Sequence, residues 1–227
     1  PYSNWVQLTD WQHSLLVFLA GRNGKGNVRE VYDWDAWLIY IEQHGLTSFV
    51  YWKLKSTGLL GEIPEEIQTH LKKAYFSTLA NNAVRFQTLN EVLESFSRKG
   101  IQVVLLKGAD LAGTLYPNIG VRPMNDLDLL IRPNDLPLAV STLQKSGFQL
   151  EKITNHAVFY YPKKYQLLEL HWRLFPISFD VFNHVEVIKT PAVHASAFNI
   201  KPELQILYLI QHLIESSGEG NYRAIWS

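Results

Sequence analysis

The spacing of apolar residues changes at Gly100, and this change limits the folds open to the chain. From about residue 64 to residue 99, apolar side chains recur at three- and four-residue steps, the spacing of an amphipathic helix. Pro64 suits the first position of such a helix, and Gly100 can adopt the left-handed conformation that ends one. After Gly100, short apolar runs rich in β-branched residues alternate with helical segments. We therefore expect an α+β protein whose α/β core, a mixed β-sheet with helices, is flanked by N-terminal and C-terminal helical regions.

The same pattern predicts three regions along the chain. Residues 1–100 form an N-terminal helical region, with helical spacing also near 10–20 and 34–44. Residues 101–195 form the α/β core, and residues 196–227 form a C-terminal helical segment.

Within the core, four runs are predicted to be strands. They are IQVVLLKG, DLDLLI, AVFYYP and QLLELHWRL, and a short helix, ADLAGTLY, follows the first of them. Asn134 is placed to cap the next helix. The last helix of the chain begins at Pro202, and one of its faces is apolar: Leu204, Leu207, Ile210, Leu213 and Ile214.

The composition argues against several classes of protein. The chain has 21 basic and 21 acidic residues, whereas a protein that tracks long nucleic acids usually has a basic excess. It contains no cysteine, which excludes disulfide frameworks, thiolate zinc sites and thiol nucleophiles. The longest N-terminal apolar run, residues 15–20, is far shorter than the roughly 20 residues that span a bilayer. We expect a cytoplasmic protein with no membrane partner and no extended DNA binding.

Two aspartates stand two residues apart in the apolar run DLDLLI. In a strand, Asp126 and Asp128 project from the same face. Their apolar neighbours, Leu127, Leu129 and Ile131, project from the other face. Two carboxylates close together in a partly dry setting need protons or cations to offset their repulsion, and a divalent metal ion is the usual one. The alternative is that both aspartates lie in a solvated turn before the strand.

Two further patterns bear on this site. The run VVLLKGADLAG places Lys107 and Gly108 between a strand and a helix, where a cation and backbone N–H groups can bind an anion, although most such junctions bind nothing. In LLELHWRL, strand geometry places Leu167, Glu169 and His171 on one face, and an ordinary surface Glu–His pair is the alternative. The conjunction of an anion-binding junction, paired aspartates and a third carboxylate predicts a site for metal and phosphate.

The run GIQVVLLKGADLAGTLYPNIGVRPMNDLDLLI, followed by LELHW, resembles the uncharacterised bacterial branch of the DNA-polymerase-β-like nucleotidyltransferase superfamily. The resemblance extends to LTSFVYWKLKSTG, to the long helix after it and to LQILYLIQHL, so it covers most of the chain. It is carried by the linked Lys-Gly, Arg-Pro-Met-x-Asp-x-Asp and Glu-Leu-His-Trp signatures.

This resemblance implies a metal-dependent enzyme that moves an NMP from an NTP to an acceptor. It implies that Asp126, Asp128 and Glu169 are the catalytic residues and that they hold two Mg²⁺ (or Mn²⁺) ions. Glu169 would also draw the proton from the attacking group of the acceptor.

The resemblance also implies a nucleotide-binding set. By position, Lys107 and Gly108 correspond to the cradle of the triphosphate. Ala109 stands where many relatives of the superfamily have serine, so no hydroxyl is available there. Our hypothesis is that Lys107 and Arg122 replace the missing contacts. His171 lies on the face of the third carboxylate, where it either orients that carboxylate or contacts the substrate.

Several alternatives stay open at this level. The acceptor is a protein, an RNA end, a peptide or a small molecule. The leading hypothesis is an active transferase. The rival is a catalytically degenerate nucleotidyltransferase fold that binds a partner protein, and the missing serine and an aromatic content of 13% are the features that support it. A metal-dependent phosphohydrolase would use the same carboxylates. The sequence stops at YRAIWS, where members of this branch continue into further helix, so a truncated C-terminus is one interpretation.

Overall fold

The computed structural model describes residues 33–174, 181–187 and 197–217, together with Leu15, Leu19, Val31 and Val193. For residues 213–217 it describes the backbone alone. The chain divides into two compact units, Pro1–Ser77 and Thr78–Ser227. The helical segment predicted near 10–20 lies almost entirely outside the described residues, and the predicted region boundaries at 100 and 195 stay a prediction.

The first unit is helical. Helix α1 (Trp34–Gln43) begins after Asp33, whose Oδ1 accepts a hydrogen bond of 2.9 Å from the Ala36 N–H, as an N-cap does. Helix α2 (Thr47–Ser56) follows, and the long helix α3 (Glu65–Ser97) starts within this unit. The core of the unit consists of Leu15, Trp37, Ile41, Val50, Tyr51, Leu54, Ile63, Ile67 and Leu71. The helical spacing predicted for 34–44 and for the segment after residue 64 is confirmed.

The second unit is built around a seven-stranded sheet. Its strands are β1 (Val104–Leu105), β2 (Asp126–Leu130), β3 (Gln149–Ile153), β4 (His156–Tyr161), β5 (Gln166–His171), β6 (Val185–Val187) and β7 (Phe198–Ile200). Its further helices are α4 (Lys107–Thr114), α5 (Leu136–Lys145) and α6 (Pro202–Ser217). The strand order is β3-β4-β5-β2-β1-β7-β6, with β2/β5 and β1/β7 parallel and the other pairs antiparallel. The predicted fold class, an α/β core with a mixed sheet, is confirmed.

Hydrophobic clusters line both faces of this sheet. On one face, Leu127, Leu129 and Ile131 are buried in the larger cluster, which includes residues of α3 and α5. On the other face, Leu130 packs in a smaller cluster with Tyr208 of α6. The alternation predicted for DLDLLI is therefore confirmed, and its two aspartates project from the face on which Tyr208 packs.

Some element boundaries differ from the prediction for local reasons. The helix expected from ADLAGTLY begins two residues earlier, at Lys107, because the backbone already turns out of the strand there with a φ of 43°. Asn134 does not cap the next helix, since it lies in a 3₁₀ turn (Pro133–Asp135) and α5 begins at Leu136. Strand β3 was not predicted: it lies at the edge of the sheet with four of its five side chains exposed, so it lacks an apolar alternation.

Helix α6 begins at Pro202 as predicted, and the side chains of its apolar face beyond residue 212 lie outside the described residues. Gln205 and Tyr208 are buried, whereas Leu207 and Ile210 are 56% and 48% exposed. Among the described residues, no helix combines the length and the apolar composition needed to cross a membrane.

Candidate active site

Two neighbouring strands bring the predicted carboxylates together. The parallel register of β2 and β5 pairs Asp128 with Glu169 and Leu130 with His171. Paired residues of adjacent strands project from the same face, so Asp128, Glu169 and His171 meet there. Their ligand-type atoms all lie within 4.8 Å of one another. Asp126 projects from the same face of β2 but does not belong to this group as the described residues are arranged.

A buried lysine contacts Asp128. The Leu106 N–H donates a hydrogen bond of 3.0 Å to the Asp128 carbonyl, which holds the entry to α4 beside β2. At Lys107 the backbone is left-handed, with a φ of 43°, a conformation that costs a residue other than glycine roughly 1–2 kcal/mol. Lys107 Nζ lies 2.9 Å from Asp128 Oδ1, and the two side chains are only 5% and 1% exposed.

Two histidines complete this cluster. His171 Nε2 lies 3.1 Å from Asp128 Oδ1 and 3.4 Å from Glu169 Oε2. The antiparallel register of β4 and β5 places His156 opposite His171, and the two rings stack with centroids 5.0 Å apart. His156 Nε2 is 3.8 Å from Glu169 Oε2. The sequence alone did not single out His156, because its position depends on the register of β4 against β5.

The protein's own cations offset the charge of Asp128. Burial raises the pKa of this carboxyl, but the hydrogen bond from His171 and the charge of Lys107 outweigh burial and hold the pKa well below its usual value. Burial likewise lowers the pKa of Lys107 and of His171, but their contacts with Asp128 prevail and raise both. At neutral pH, Asp128 is therefore ionised and Lys107 is charged.

Asp126 has a different electrostatic environment. Burial and then the charge of Asp128 raise the pKa of Asp126 to about 7, against the opposing charge of Lys107. Arg85 of α3 also interacts with Asp126: burial lowers the pKa of its guanidinium, and the charge of Asp126 partly offsets that effect. The two aspartates of DLDLLI thus share a face of the strand, but their pKa values are shifted in opposite directions.

Gly108 and Arg122 are in close contact at the start of α4. A Cβ atom on Gly108 would lie 2.7 Å from Arg122 Nη1 and 2.9 Å from Met124 Cγ, so the packing requires glycine. Arg122 is 1% exposed and has a hydrogen bond with Tyr116. In this conformation the guanidinium therefore contacts protein, and nucleotide binding by Gly108 and Arg122 stays a prediction.

A buried asparagine of α3 holds the loop that carries Arg122. Asn82 Nδ2 donates hydrogen bonds of 2.6 Å to the Ile119 carbonyl and 2.7 Å to the Arg122 carbonyl. The sequence contained a signal for this role, since Asn82 interrupts the apolar stripe of the helix between Leu79 and Phe86. A buried polar residue in such a stripe needs a partner, and here the partner is the site loop.

A cavity of about 630 Å³ opens beside the cluster, within the size range of small-molecule sites. Lys107, Glu169 and His171 line it, so it gives access to three of the predicted site residues. The other lining residues come from the β3–β4 turn, β4, the chain after β5 and α6: Thr154, Asn155, His156, Trp172, Arg173, Leu174, Tyr208, Gln211 and His212. Asp128 does not line it, because its side chain is fully buried behind these residues.

The donor atoms of the cluster fit a divalent cation. Asp128 Oδ2 is buried and has no hydrogen-bond partner among the described residues. A buried polar atom left in this way costs roughly 1–3 kcal/mol, which a cation would remove. Carboxylate oxygens and an imidazole nitrogen are donor types that divalent metal ions accept.

The chain is partly similar to several solved structures. The lincosamide antibiotic adenylyltransferase LnuA, bound to lincomycin, is 15% identical and overlaps 53% of this chain and 83% of its own, with a TM-score of 0.42. ANT(2")-Ia in complex with adenylyl-2"-tobramycin is 11% identical. The alignment covers 63% of this chain and 87% of that one, with a TM-score of 0.45. An antigenic nucleotidyltransferase-like protein from Paracoccidioides brasiliensis is 18% identical and overlaps 62% and 72%, with a TM-score of 0.41. At these identities and scores, the similarities carry no information about the acceptor.

No curated protein sequence matches the chain significantly. A protein family does: residues 30–226, nearly the whole chain, match the family described as uncharacterised nucleotidyltransferase. The match includes every residue of the cluster around Asp128, and the chain therefore belongs to this nucleotidyltransferase family.

Proposed function

We propose that this protein transfers an NMP from an NTP to an acceptor in a metal-dependent reaction. One observation carries the proposal: Asp128 and Glu169 are paired across adjacent strands, beside a cavity that Lys107 and Glu169 line. Membership of a nucleotidyltransferase family supports the reaction class. The acceptor is a protein, an RNA end, a peptide or a small molecule, and the reaction takes place in the cytoplasm.

The residues of the cluster have distinct roles in this proposal. Asp126, Asp128 and Glu169 would hold Mg²⁺ or Mn²⁺, which when bound would neutralise phosphate charge in an in-line displacement at the α-phosphate. Glu169 lines the cavity with its side chain 24% exposed, so it is placed to take the proton from the attacking group. Lys107 would offset the charge that develops on the phosphates as pyrophosphate leaves.

Nucleotide binding is assigned to Lys107, Gly108, Arg122 and His171. Lys107 and His171 line the cavity. Helix α4 begins without a capping side chain, and the N–H groups of such a helix start can bind phosphate. Gly108 and Arg122 contribute through their mutual packing, which determines the path of the first turn of α4.

The proposal is tested by incubating the protein with each α-³²P-labelled NTP, Mg²⁺ or Mn²⁺, and a cell lysate as the source of acceptors. We expect labelled NMP on an acceptor, and a loss of at least about 100-fold in Asp128→Asn and Glu169→Gln, since each removes a charge used in the transition state. Asp35→Asn, on the exposed side of α1, is the control and should keep full activity.

The products distinguish the rival functions. Free phosphate without a labelled acceptor would instead indicate a phosphohydrolase. If no NTP binds at millimolar concentration in the presence of metal, the proposal is wrong and the chain is a non-catalytic interaction protein.

A further inference from the structure

Among the described residues, the three donor side chains that converge are not the three carboxylates expected for the metal site. The group contains Asp128, Glu169 and His171, so one of its three donors is an imidazole nitrogen. His171 Nε2 lies 3.1 Å from an Asp128 oxygen and 3.4 Å from a Glu169 oxygen. Two donors bound to one ion at about 2.1 Å lie about 3.0 Å apart at octahedral cis positions and about 3.4 Å apart in a tetrahedron. This spacing suits one shared ion, which on binding would replace the hydrogen bond from His171 to Asp128.

A second observation is independent of this spacing. Asp128 is completely buried, yet its Oδ2 has no hydrogen-bond partner within the described part of the chain. Its other oxygen already contacts both Lys107 and His171. A cation beside Asp128 would satisfy the remaining oxygen, whose desolvation is otherwise uncompensated.

We propose that His171 is a metal ligand and that it makes this site select a divalent transition metal, such as Mn²⁺, over Mg²⁺. The inference rests on the proposed function and specifies its cofactor. Mg²⁺ takes oxygen donors and keeps its waters, whereas an imidazole nitrogen strengthens binding of Mn²⁺ and of the metals after it in the first transition row. His171 thereby passes from the nucleotide-binding set to the metal-binding set.

His156, which is paired with His171 on the neighbouring strand β4, provides a matched control. His156 stacks on the His171 ring and lies 3.8 Å from Glu169 Oε2, but it is not one of the three convergent donors. His156→Phe keeps an aromatic ring against His171 and removes only the nitrogens. His171→Gln removes the imidazole, and His171→Asp replaces it with an oxygen donor.

The experiment measures Mn²⁺ binding to the full chain by electron paramagnetic resonance, with Mg²⁺ affinity obtained by competition. Electron spin-echo modulation then reports whether a ¹⁴N nucleus is bonded to the Mn²⁺. We expect wild type and His156→Phe to show the nitrogen signal and to bind Mn²⁺ at least about tenfold more tightly than Mg²⁺. His171→Gln should lose the signal and about tenfold in Mn²⁺ affinity, and His171→Asp should shift the preference towards Mg²⁺.

Two results would overturn the inference: bound Mn²⁺ without a nitrogen signal in wild type, or a nitrogen signal that persists in His171→Gln. If His171→Gln fails to fold, wild type labelled with ¹⁵N-histidine and His171→Asp decide the question. Transfer assays with saturating Mn²⁺ and, separately, with saturating Mg²⁺ distinguish this inference from the proposed function, which fails only if neither metal supports transfer. Transfer without a nitrogen signal supports the proposed function and contradicts the role of His171 as a ligand. A nitrogen signal without transfer supports that role and contradicts the proposed function.

Discussion

Lys107 combines a left-handed backbone, near-complete burial and an ion pair with a carboxylate that is itself buried. The backbone conformation and the burial of the ammonium both cost free energy, and the contact with Asp128 offsets part of it. Removing one partner leaves the other charge buried without compensation. The ion pair is therefore expected to couple the two residues strongly.

A double-mutant cycle measures this coupling. Asp128→Asn should lower the free energy of unfolding by about 3–5 kcal/mol, because it strands the Lys107 ammonium. Lys107→Met should cost less, since His171 still contacts Asp128, and the double variant should lose about 2 kcal/mol less than the sum of the single ones. The measurement is urea unfolding followed by circular dichroism.

The exposed pair Arg98–Glu94 is the control for this cycle. Its nitrogen–oxygen distance is 3.9 Å and its side chains are 69% and 61% exposed, so its coupling should stay below about 0.5 kcal/mol. Equal coupling in the two pairs would contradict the importance assigned to burial of Lys107.

The glycine beside Lys107 offers a second test at this scale. In Gly108→Ala the new methyl group would meet Arg122 and Met124 at under 3 Å, and the burial of Arg122 prevents easy relief. We expect a loss of about 1–3 kcal/mol in urea unfolding. Gly61→Ala, where the methyl group meets nothing within 4 Å, should change stability by less than about 0.5 kcal/mol.

The alternation of DLDLLI predicted the shared face of Asp126 and Asp128, but not the opposite shifts of their pKa values. That difference depends on His171 and Lys107, and the hydrogen bond from the Leu106 N–H to the β2 backbone holds Lys107 beside Asp128. No periodicity in the sequence encodes such a contact. The sequence could therefore predict which residues of the strand are buried, but not how the charges around its aspartates are compensated.

At the scale of elements, α4 and α6 are joined by a buried hydrogen bond. Gln205 Nε2 donates to Asp110 Oδ2 at 2.9 Å, and Thr114 Oγ1 donates to Asp110 Oδ1 at 3.0 Å. Burial raises the pKa of Asp110 to about 6, although both hydrogen bonds lower it. The folded state therefore favours the neutral carboxyl.

This environment predicts a pH dependence of stability. The pKa of Asp110 is about 3.8 in the unfolded chain and about 6 in the folded protein. Its contribution to the free energy of unfolding is therefore fully present below about pH 4 and is lost as the pH rises through about 6. The free energy of unfolding of Asp110→Asn, relative to that of wild type, should therefore increase from pH 4 to pH 8 by roughly 3 kcal/mol at most. Urea unfolding at the two pH values measures it. A difference that does not change with pH would contradict the assignment.

Gln205→Ala serves as the companion variant. It removes the hydrogen bond to Asp110 and should lower stability at both pH values, while moving the pH-dependent loss to higher pH.

The same contact determines which face of α6 is buried. The helix is apolar around most of its circumference, so spacing alone could not identify the inner face. Leu207 and Ile210 fit a helical stripe, but Gln205 turns inward because Asp110 is its partner. In α3, the polar interruption at Asn82 was an interpretable signal because the rest of the stripe is regular.

At the scale of the whole molecule, the balance of 21 basic and 21 acidic residues sets an expectation about partners. Non-specific nucleic-acid binding depends on the release of counterions by a basic surface, which gives dissociation constants of about 10⁻⁴–10⁻⁶ M in proteins that have one. A charge-balanced chain should be weaker than this range.

Fluorescence anisotropy with a labelled single-stranded RNA and a duplex DNA tests this expectation. At physiological salt we expect no binding below about 100 µM to either probe. Submicromolar binding that weakens steeply with salt would show a basic surface that the overall charge conceals, and would favour an RNA end as the acceptor.

For the described residues the fold class was predictable, because helical spacing and short apolar runs are local signals. The strands β3, β6 and β7 were not, since an exposed edge or three residues leave no periodic pattern to detect. The pairing of β2 with β5 was also beyond local signals, although it determines which carboxylates meet.

The parallel pairing of β2 with β5 also determines when, during folding, the protein becomes able to bind a cation. A slip of one residue between β2 and β5 would turn Glu169 and His171 to the opposite face from Asp128, so no partial register leaves a partial site. Because these strands are distant in sequence, their alignment should form late, after the helices. During refolding, the recovery of tight cation binding would then report when these strands align. It should be slower than the recovery of the helical circular dichroism signal.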